Sequence, residues 1–415
     1  MKRFRPILVA AGFGALIAST QAGALVVSDL QAHERKCFDV KQEAATRVSE
    51  CEAALADDPQ DGRERRAIVG MLGFAYRDAK RLNMAMDMFD KALALDPDDW
   101  LVLTARGELR LYFAQPQAAL ADFERGLKLK PDLAQLHYDR GAVLSVLGSI
   151  DDAIPEFNTA IALAPDHVSY LTHRGLAYFF AKRYDKAVDD FDAALAKEPD
   201  DEPALLGRGN AYVSQKRYDP ALADFDRAAQ LKPADAAPWR GRTRAYADQG
   251  QYDLALAQAD RAVALEPDDA ENYNGRGNVY SLAGQSARAI ADFDAAIRLH
   301  PFPAAYNNRC FERTKTGTDL DAALADCNAA IAIAGEANAL DSRGFVYFRK
   351  GDFKSAIADF DAALAKAPGI ASSLYLRGLA KRKSGDTAGG DADIAAANAA
   401  DAKIAARYAS YGVTP

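Results

Sequence analysis

The sequence predicts an all-α protein, one elongated array of repeated helix pairs. Three observations carry this. Pro97, Pro131, Pro165, Pro199, Pro233, Pro267 and Pro301 recur every 34 residues, a period that belongs to stacked supersecondary units rather than to separate globular domains. In the segment Glu202–Asp235, Leu205, Arg208, Gly209 and Tyr212 stand at i, i+3, i+4 and i+7, one face of a helix. Ala221, Phe225 and Ala228 form the facing stripe of a second helix, and Pro233 stops it.

In chain order, Lys2, Arg3 and Arg5 precede an apolar run from Pro6 to Ala18, and Ala22-Gly23-Ala24 follows. This is the layout of a secretory signal over residues 1–24, with cleavage after Ala24 or, second choice, after Ala22. The run is well short of the ~20 residues of a spanning helix. No integral membrane segment is expected in the mature chain, although retention of the run as an anchor is the competing reading. Cleavage moves the formal charge from -8 to -11, because three basic residues leave and no acidic one does. An acidic chain repels nucleic acid and anionic lipid, so neither is an expected partner.

Residues 25–65 read as an irregular N-terminal cap. Ala44–Leu55 is its second helix, its first helix is degenerate, and an insert from Gln60 to Arg65 separates it from the array. Units then start at 66, 100, 134, 168, 202, 236, 270, 303, 337 and 371, filling 66–404. The eighth is a residue short of register and has Gly335 in the proline slot. Residues 403–415 hold a last helix and tail, covering the open end of the array as terminal units must. Asp219-Pro220 reads as a helix start, with Asp as N-cap and Pro in the first helical position. Gly73, Gly107, Gly141, Gly175, Gly209, Gly277, Gly344 and Gly378 share one mid-helix position. Each costs about 1 kcal/mol against alanine, and the small facing residues, Ala85 to Ala289, point to a close approach of the second helix as the compensation.

This pattern resembles the tetratricopeptide repeat family. The unit from Val168 carries the motif as Leu171, Arg174, Gly175, Tyr178, Ala187, Phe191, Ala194 and Pro199. The resemblance spans roughly residues 28–411. It implies a right-handed α-solenoid superhelix of about ten helix–turn–helix units, with an N-terminal half-unit and a C-terminal capping helix. It also implies a non-catalytic interaction scaffold and, taken with a signal segment, a Gram-negative periplasm as the expected compartment. Thr243 and Ala259 depart from the motif in the sixth unit, Cys310 and Cys327 in the eighth, Gly390 and Ala402 in the tenth.

Four cysteines in an exported chain invite disulfides, and three pairings are formally open. Repeat geometry favours the local ones. Cys310 and Cys327 replace the close-contact glycine and the facing aromatic of one helix pair, so they would face each other. Cys37 and Cys51 would be about 21 Å apart in one continuous helix, so their pairing requires a turn near Val40 to Ala45. An arginine column (Arg106, Arg140, Arg174, Arg208, Arg242, Arg276, Arg309, Arg343, Arg377) accompanies an acidic column on second helices (Asp122, Glu156, Asp190, Asp224, Asp292, Asp326, Asp359, Asp393). A basic track for an anionic polymer is one reading. The matched charges favour the other, a ladder of ion pairs between successive helices.

The resemblance implies that first helices line a concave groove. By repeat position the groove residues are Phe74, Tyr112, Tyr138, Phe179 and Phe180, then Asn210, Arg240, Arg244, Asn274, Asn278 and Asn307, then Phe311, Phe345, Phe348, Arg349, Tyr375, Arg382 and Lys383. Asparagine can bond a peptide backbone, arginine its carboxylates, and rings its side chains; packing between units is the competing use of each ring. The expected partner is a protein or extended peptide. A structural envelope component and a polysaccharide-binding module are the alternatives, and nothing indicates a homo-oligomer. His33, His137, His167, His173 and His300 form no ligand spacing, and no catalytic motif is present, so no metal, cofactor or catalytic residue is expected. His137 and His173 are placed to approach each other on adjacent units.

Overall fold

The computed structural model describes residues 32–57 and 62–414. The signal segment 1–24, both cleavage positions and Pro59 lie outside them. The described residues form twenty-three α-helices and no strand. The chain is an all-α solenoid.

It divides into two compact units, the first ending at Gln215 and the second starting at Lys216. The first holds α1 (Ala32–Phe38), α2 (Ala44–Ala56), α3 (Gly62–Asp78), α4 (Leu82–Leu95), α5 (Trp100–Tyr112), α6 (Pro116–Leu129), α7 (Ala134–Leu147), α8 (Ile150–Leu163), α9 (Val168–Phe180), α10 (Tyr184–Lys197) and α11 (Glu202–Ser214). The second holds α12 (Tyr218–Leu231), α13 (Ala237–Asp248), α14 (Tyr252–Leu265), α15 (Ala270–Leu282), α16 (Ser286–Leu299), α17 (Pro303–Thr316), α18 (Leu320–Ala334), α19 (Ala337–Lys350), α20 (Phe353–Lys366), α21 (Ala371–Lys383), α22 (Thr387–Ala400) and α23 (Ile404–Ser410). Inside each unit every helix packs on the next, and first helices (odd-numbered) also touch the neighbouring first helices. First helices form one layer and second helices the other.

Local chemistry sets the ends. Asp99 caps α5, its carboxylate accepting from the amides of Leu101 (3.0 Å) and Val102 (3.2 Å). Several hairpins turn through a left-handed residue, which is glycine at Gly148, Gly284 and Gly351 but alanine at Ala114 (φ 58°) and lysine at Lys182 (φ 59°). Two expectations need correction. Gly62–Arg65 is the first turn of α3, not an insert. Helix α12 starts at Tyr218, so Asp219 lies in its first turn and does not cap it.

The mid-helix glycines have a sharper reason than small facing residues. A Cβ on Gly107 would come within 2.5 Å of the Phe123 ring, and one on Gly344 within 2.6 Å of Phe360. The second-helix phenylalanine is a wedge, fully buried in each case. Gly207 on the following helix obeys the same logic: a Cβ there would come within 2.4 Å of the Phe191 ring. Burying one such ring contributes about 2–3 kcal/mol, more than the ~1 kcal/mol cost of the glycine. In α17/α18 the disulfide Cys310–Cys327, Cα atoms 5.5 Å apart, takes the place of glycine and wedge. Cys37 and Cys51 join α1 to α2 across a break at residues 39–43, Cα atoms 4.7 Å apart. Both pairings match the sequence expectation, and no free cysteine remains among the described residues.

Candidate functional site

The arginine column is a ladder. Arg276 donates through Nε and Nη2 to Asp292 of its own hairpin (2.7 and 2.8 Å) and through Nη1 to Asp260 of the preceding one (2.8 Å). Arg106, Arg309 and Arg377 do the same with Asp122 and Asp90, Asp326 and Asp294, and Asp393 and Asp361. The hydrogen bonds that Arg276 donates to Asp292 lead in raising its pKa above the usual arginine value. A second, mostly acidic column, fifteen or sixteen residues before the arginines and holding Asn158 and Asn328 at two positions, was not read from sequence. Its signal was available as the recurring Asp-Phe-Asp of residues 190–192, 224–226, 292–294 and 359–361. The column therefore clamps neighbouring hairpins and is not a track for an anionic polymer.

The first-helix face of the first unit is mixed. Tyr112 (48% exposed) and Phe180 (44%) stand open, each edge-on to a neighbouring ring, Phe113 and Phe179. Phe179 is half-buried against Tyr184. Phe74 and Tyr138 are buried. Tyr138 stacks on Tyr170 at 5.0 Å, with its hydroxyl 3.2 Å from His173 Nε2, so it packs between hairpins and does not face a partner. His173 bonds the Ser169 carbonyl, whereas His137 is held by Glu156 and the Pro131 carbonyl; the expected approach of the two histidines is replaced by these contacts. Burial pushes the His173 pKa down to about 4 and that of Asp139 up to about 7. Glu108 is pushed up too, by burial and then by Asp139, against the pull of Arg77. Asp139 receives one bond, from Gln135 (2.9 Å), and its Oδ2 is buried without a partner. Asn210 donates to the Leu206 carbonyl of its own helix (2.8 Å).

The second unit carries the polar residues that sequence picked out. Arg240 donates to Glu266, Asp269 and Asn272 at 3.0–3.1 Å. Arg244 is exposed on the same helix, α13. Asn308, not singled out beforehand although it lies 34 residues after Asn274, donates its amide to the carbonyl oxygens of both Asn274 (3.0 Å) and Asn278 (2.9 Å). The side-chain carbonyl of Asn307 is buried with no partner.

At the end of the array the expected groove aromatics are covered. Phe345 (1% exposed), Phe348 (8%) and Tyr375 (1%) are core residues. The cover over two of them is the chain's own end: Tyr408 stacks on Tyr375 (5.6 Å) and meets Phe345 edge-on (5.3 Å), and Tyr411 meets Phe311 edge-on (6.1 Å). Arg349 donates to the carbonyls of Lys315 (3.0 Å) and Tyr411. Arg382 pairs with Asp391 and Lys383 is exposed. Among the described residues no helix is long and apolar enough to cross a membrane, and no group of three potential metal ligands is found.

Stacked hairpins with a polar first-helix layer define a helical-repeat protein. Tetratricopeptide repeat models match residues 104–168, 172–236, 337–370 and 68–99, and a TPR repeat model matches 244–284, together more than half of the chain. The chain belongs to the tetratricopeptide repeat family. Among solved structures it resembles yeast Tom70 (16% identity, 92% of this chain and 94% of that one, TM-score 0.50). It also resembles the APC/C hetero-tetramer Cut9–Hcn1 (17% identity, 83% and 86%, TM-score 0.50) and a tetratricopeptide repeat protein from Parabacteroides merdae (18%, 68% and 98%, TM-score 0.48). At these identities the first two likenesses establish the fold. No curated protein matches.

Proposed function

We propose that this protein is a non-catalytic scaffold that holds a protein partner, in extended form, along the first-helix face of α13, α15 and α17. The asparagine cluster carries the reading. Asn308 occupies the carbonyl oxygens of Asn274 and Asn278, which leaves the two side-chain N–H₂ groups as donors on one face. Donors one turn apart on a first helix match C=O groups of an extended backbone. Arg244, exposed at the other end of this face, suits an acidic side chain of the partner.

The family supports an interaction scaffold, and the ladder commits its arginines to groups of the array itself. Two disulfides support an oxidising compartment, in line with export to a periplasm. Burial of Tyr138, Phe345 and Tyr375 removes ring platforms that a sugar-binding face would use. The test is partner capture by the full chain against its Asn274→Ala/Asn278→Ala variant. The expected result is a loss of affinity of about tenfold or more with unchanged circular dichroism. Undiminished capture by the folded variant would move the binding surface elsewhere.

A further inference from the structure

Helix α23 has seven residues, too few to hold a helix in water unaided. Its order comes from what it lies on. Ile404 (0% exposed), Tyr408 (2%) and Val413 (4%) join the apolar cluster formed by Phe345, Tyr375 and Leu379. Tyr408 and Tyr411, three residues apart, span three hairpins in one direction, from Tyr375 on α21 past Phe345 on α19 to Phe311 on α17. This is the mode of an amphipathic helix laid into a groove with anchors at helical spacing. The segment joins α22 through residues 401–403 alone, so it can leave without unfolding a hairpin.

One polar group in this groove is incompletely matched. Every arginine of the ladder reaches a carboxylate. Arg349 reaches none among the described residues: its guanidinium meets two backbone carbonyls and the Phe345 ring (5.5 Å), and its Nε is buried without a partner. A partly buried cation facing only neutral acceptors is stabilised further by an anion placed there. Tyr411 supplies a carbonyl to Arg349, and the next position, Gly412, has φ 74°, a conformation that Asp and Asn tolerate better than other side chains.

We propose that the face of α17, α19 and α21 is a docking site for a short helix of a partner protein, one bearing two aromatic side chains three residues apart followed by an acidic residue, and that α23 occupies the site as a tethered stand-in. The partner wins by adding the carboxylate that α23 lacks, against the high effective concentration of a tethered competitor. The proposal rests on the reading that first helices take peptides. Its assay uses no partner and none of the asparagines, so either can fail alone.

The experiment uses the full chain and fluorescein-labelled, C-terminally amidated peptides of residues 401–414. Tyr408→Ala/Tyr411→Ala vacates the site. Tyr411→Ala, at a half-buried residue, is the milder variant should the double one not fold; thermal melts identify folded protein. The folded variant is expected to bind the native peptide at least about tenfold more tightly than the unaltered chain does. The Gly412→Asp peptide is expected to bind about tenfold more tightly than Gly412→Asn, with the difference removed by Arg349→Gln and weakened by salt. A folded variant that ignores the native peptide overturns the site. Equal binding of the Asp and Asn peptides overturns the role given to Arg349.

Discussion

Three consecutive hairpins of the second unit solve one problem in three ways. In α15/α16 the problem is solved by apolar fit: Gly277 leaves a hollow and Phe293 fills it, 2.7 Å from where a Cβ would lie. In α17/α18 it is solved covalently by Cys310–Cys327. In α13/α14 the wedge is simply missing. Thr243 stands for glycine and turns its hydroxyl back to the Trp239 carbonyl (2.8 Å), Ala259 stands for phenylalanine, and Gln258 for the ladder acid. The Trp239 ring lies between Arg242 (5.4 Å) and Arg261 (5.8 Å). Trp239 Nε1, Arg242 Nε and Gln258 Oε1 are left buried without partners. The difference shows that a hairpin survives loss of its wedge, but among the described residues only the apolar solution, α15/α16, leaves no buried side-chain polar atom stranded. The α13 first helix also carries Arg240 and Arg244, so the least satisfied packing lies directly under the candidate binding face.

The largest expected effect comes from making α15/α16 resemble α13/α14. Phe293→Ala should cost about 3–5 kcal/mol, read as lost amide protection across α15 and α16; a cost under about 1 kcal/mol would show that the wedge is not what holds a hairpin. Next, Cys310→Ala/Cys327→Ala should cost about 2–4 kcal/mol in urea unfolding, and Cys310→Gly/Cys327→Phe should recover most of it by restoring the wedge. The first unit has its own stranded atom, Asp139 Oδ2. Asp139 keeps its proton in the native state up to about pH 7, whereas the unfolded chain releases it near the ordinary value of 3.8. Its contribution to stability is therefore lost as pH rises from about 4 to 7. Asp139→Asn should be more stable than the native chain by an amount that grows over that window to a few kcal/mol. His173 acts with the opposite sign over nearly the same range, so the difference between the two chains, measured at pH 5 and 8, is the test. The smallest effect is a repair: Gln258→Asp should give Arg242 its missing acid and add about 1 kcal/mol, visible as a raised urea midpoint. No gain would mean that Arg242 cannot turn from Asp226.

What sequence reveals here depends on whether a feature repeats. The 34-residue prolines, the Gly–Phe positions and both cysteine pairs are local or periodic, so spacing alone placed them. The clamp acids were legible but overlooked, because the phenylalanine between them drew the pattern towards packing. Exposure of the first-helix aromatics was not legible. Phe345 stands at the repeat position of the exposed Arg244 yet is closed by Tyr408 from the tail, and Tyr138 is closed by Tyr170 and His173 of the next hairpin. Those covers are single events outside the period.

Most ladder arginines bond an acid of their own hairpin and a side-chain oxygen of the hairpin before it, a carboxylate at Asp90, Asp260, Asp294 and Asp361 and an amide at Asn158 and Asn328. The eighth unit, one residue out of step, still bonds: Arg309 reaches Asp326 seventeen residues ahead and Asp294 fifteen behind. A hairpin whose arginine has its own acid could thus be copied or lost without leaving that charge unmatched, whereas Arg242, with Gln258 in the acid position, depends on Asp226 of the hairpin before it. The clamp makes the array tolerant to unequal recombination, a property through which a protein of this kind can change its length while keeping its joints.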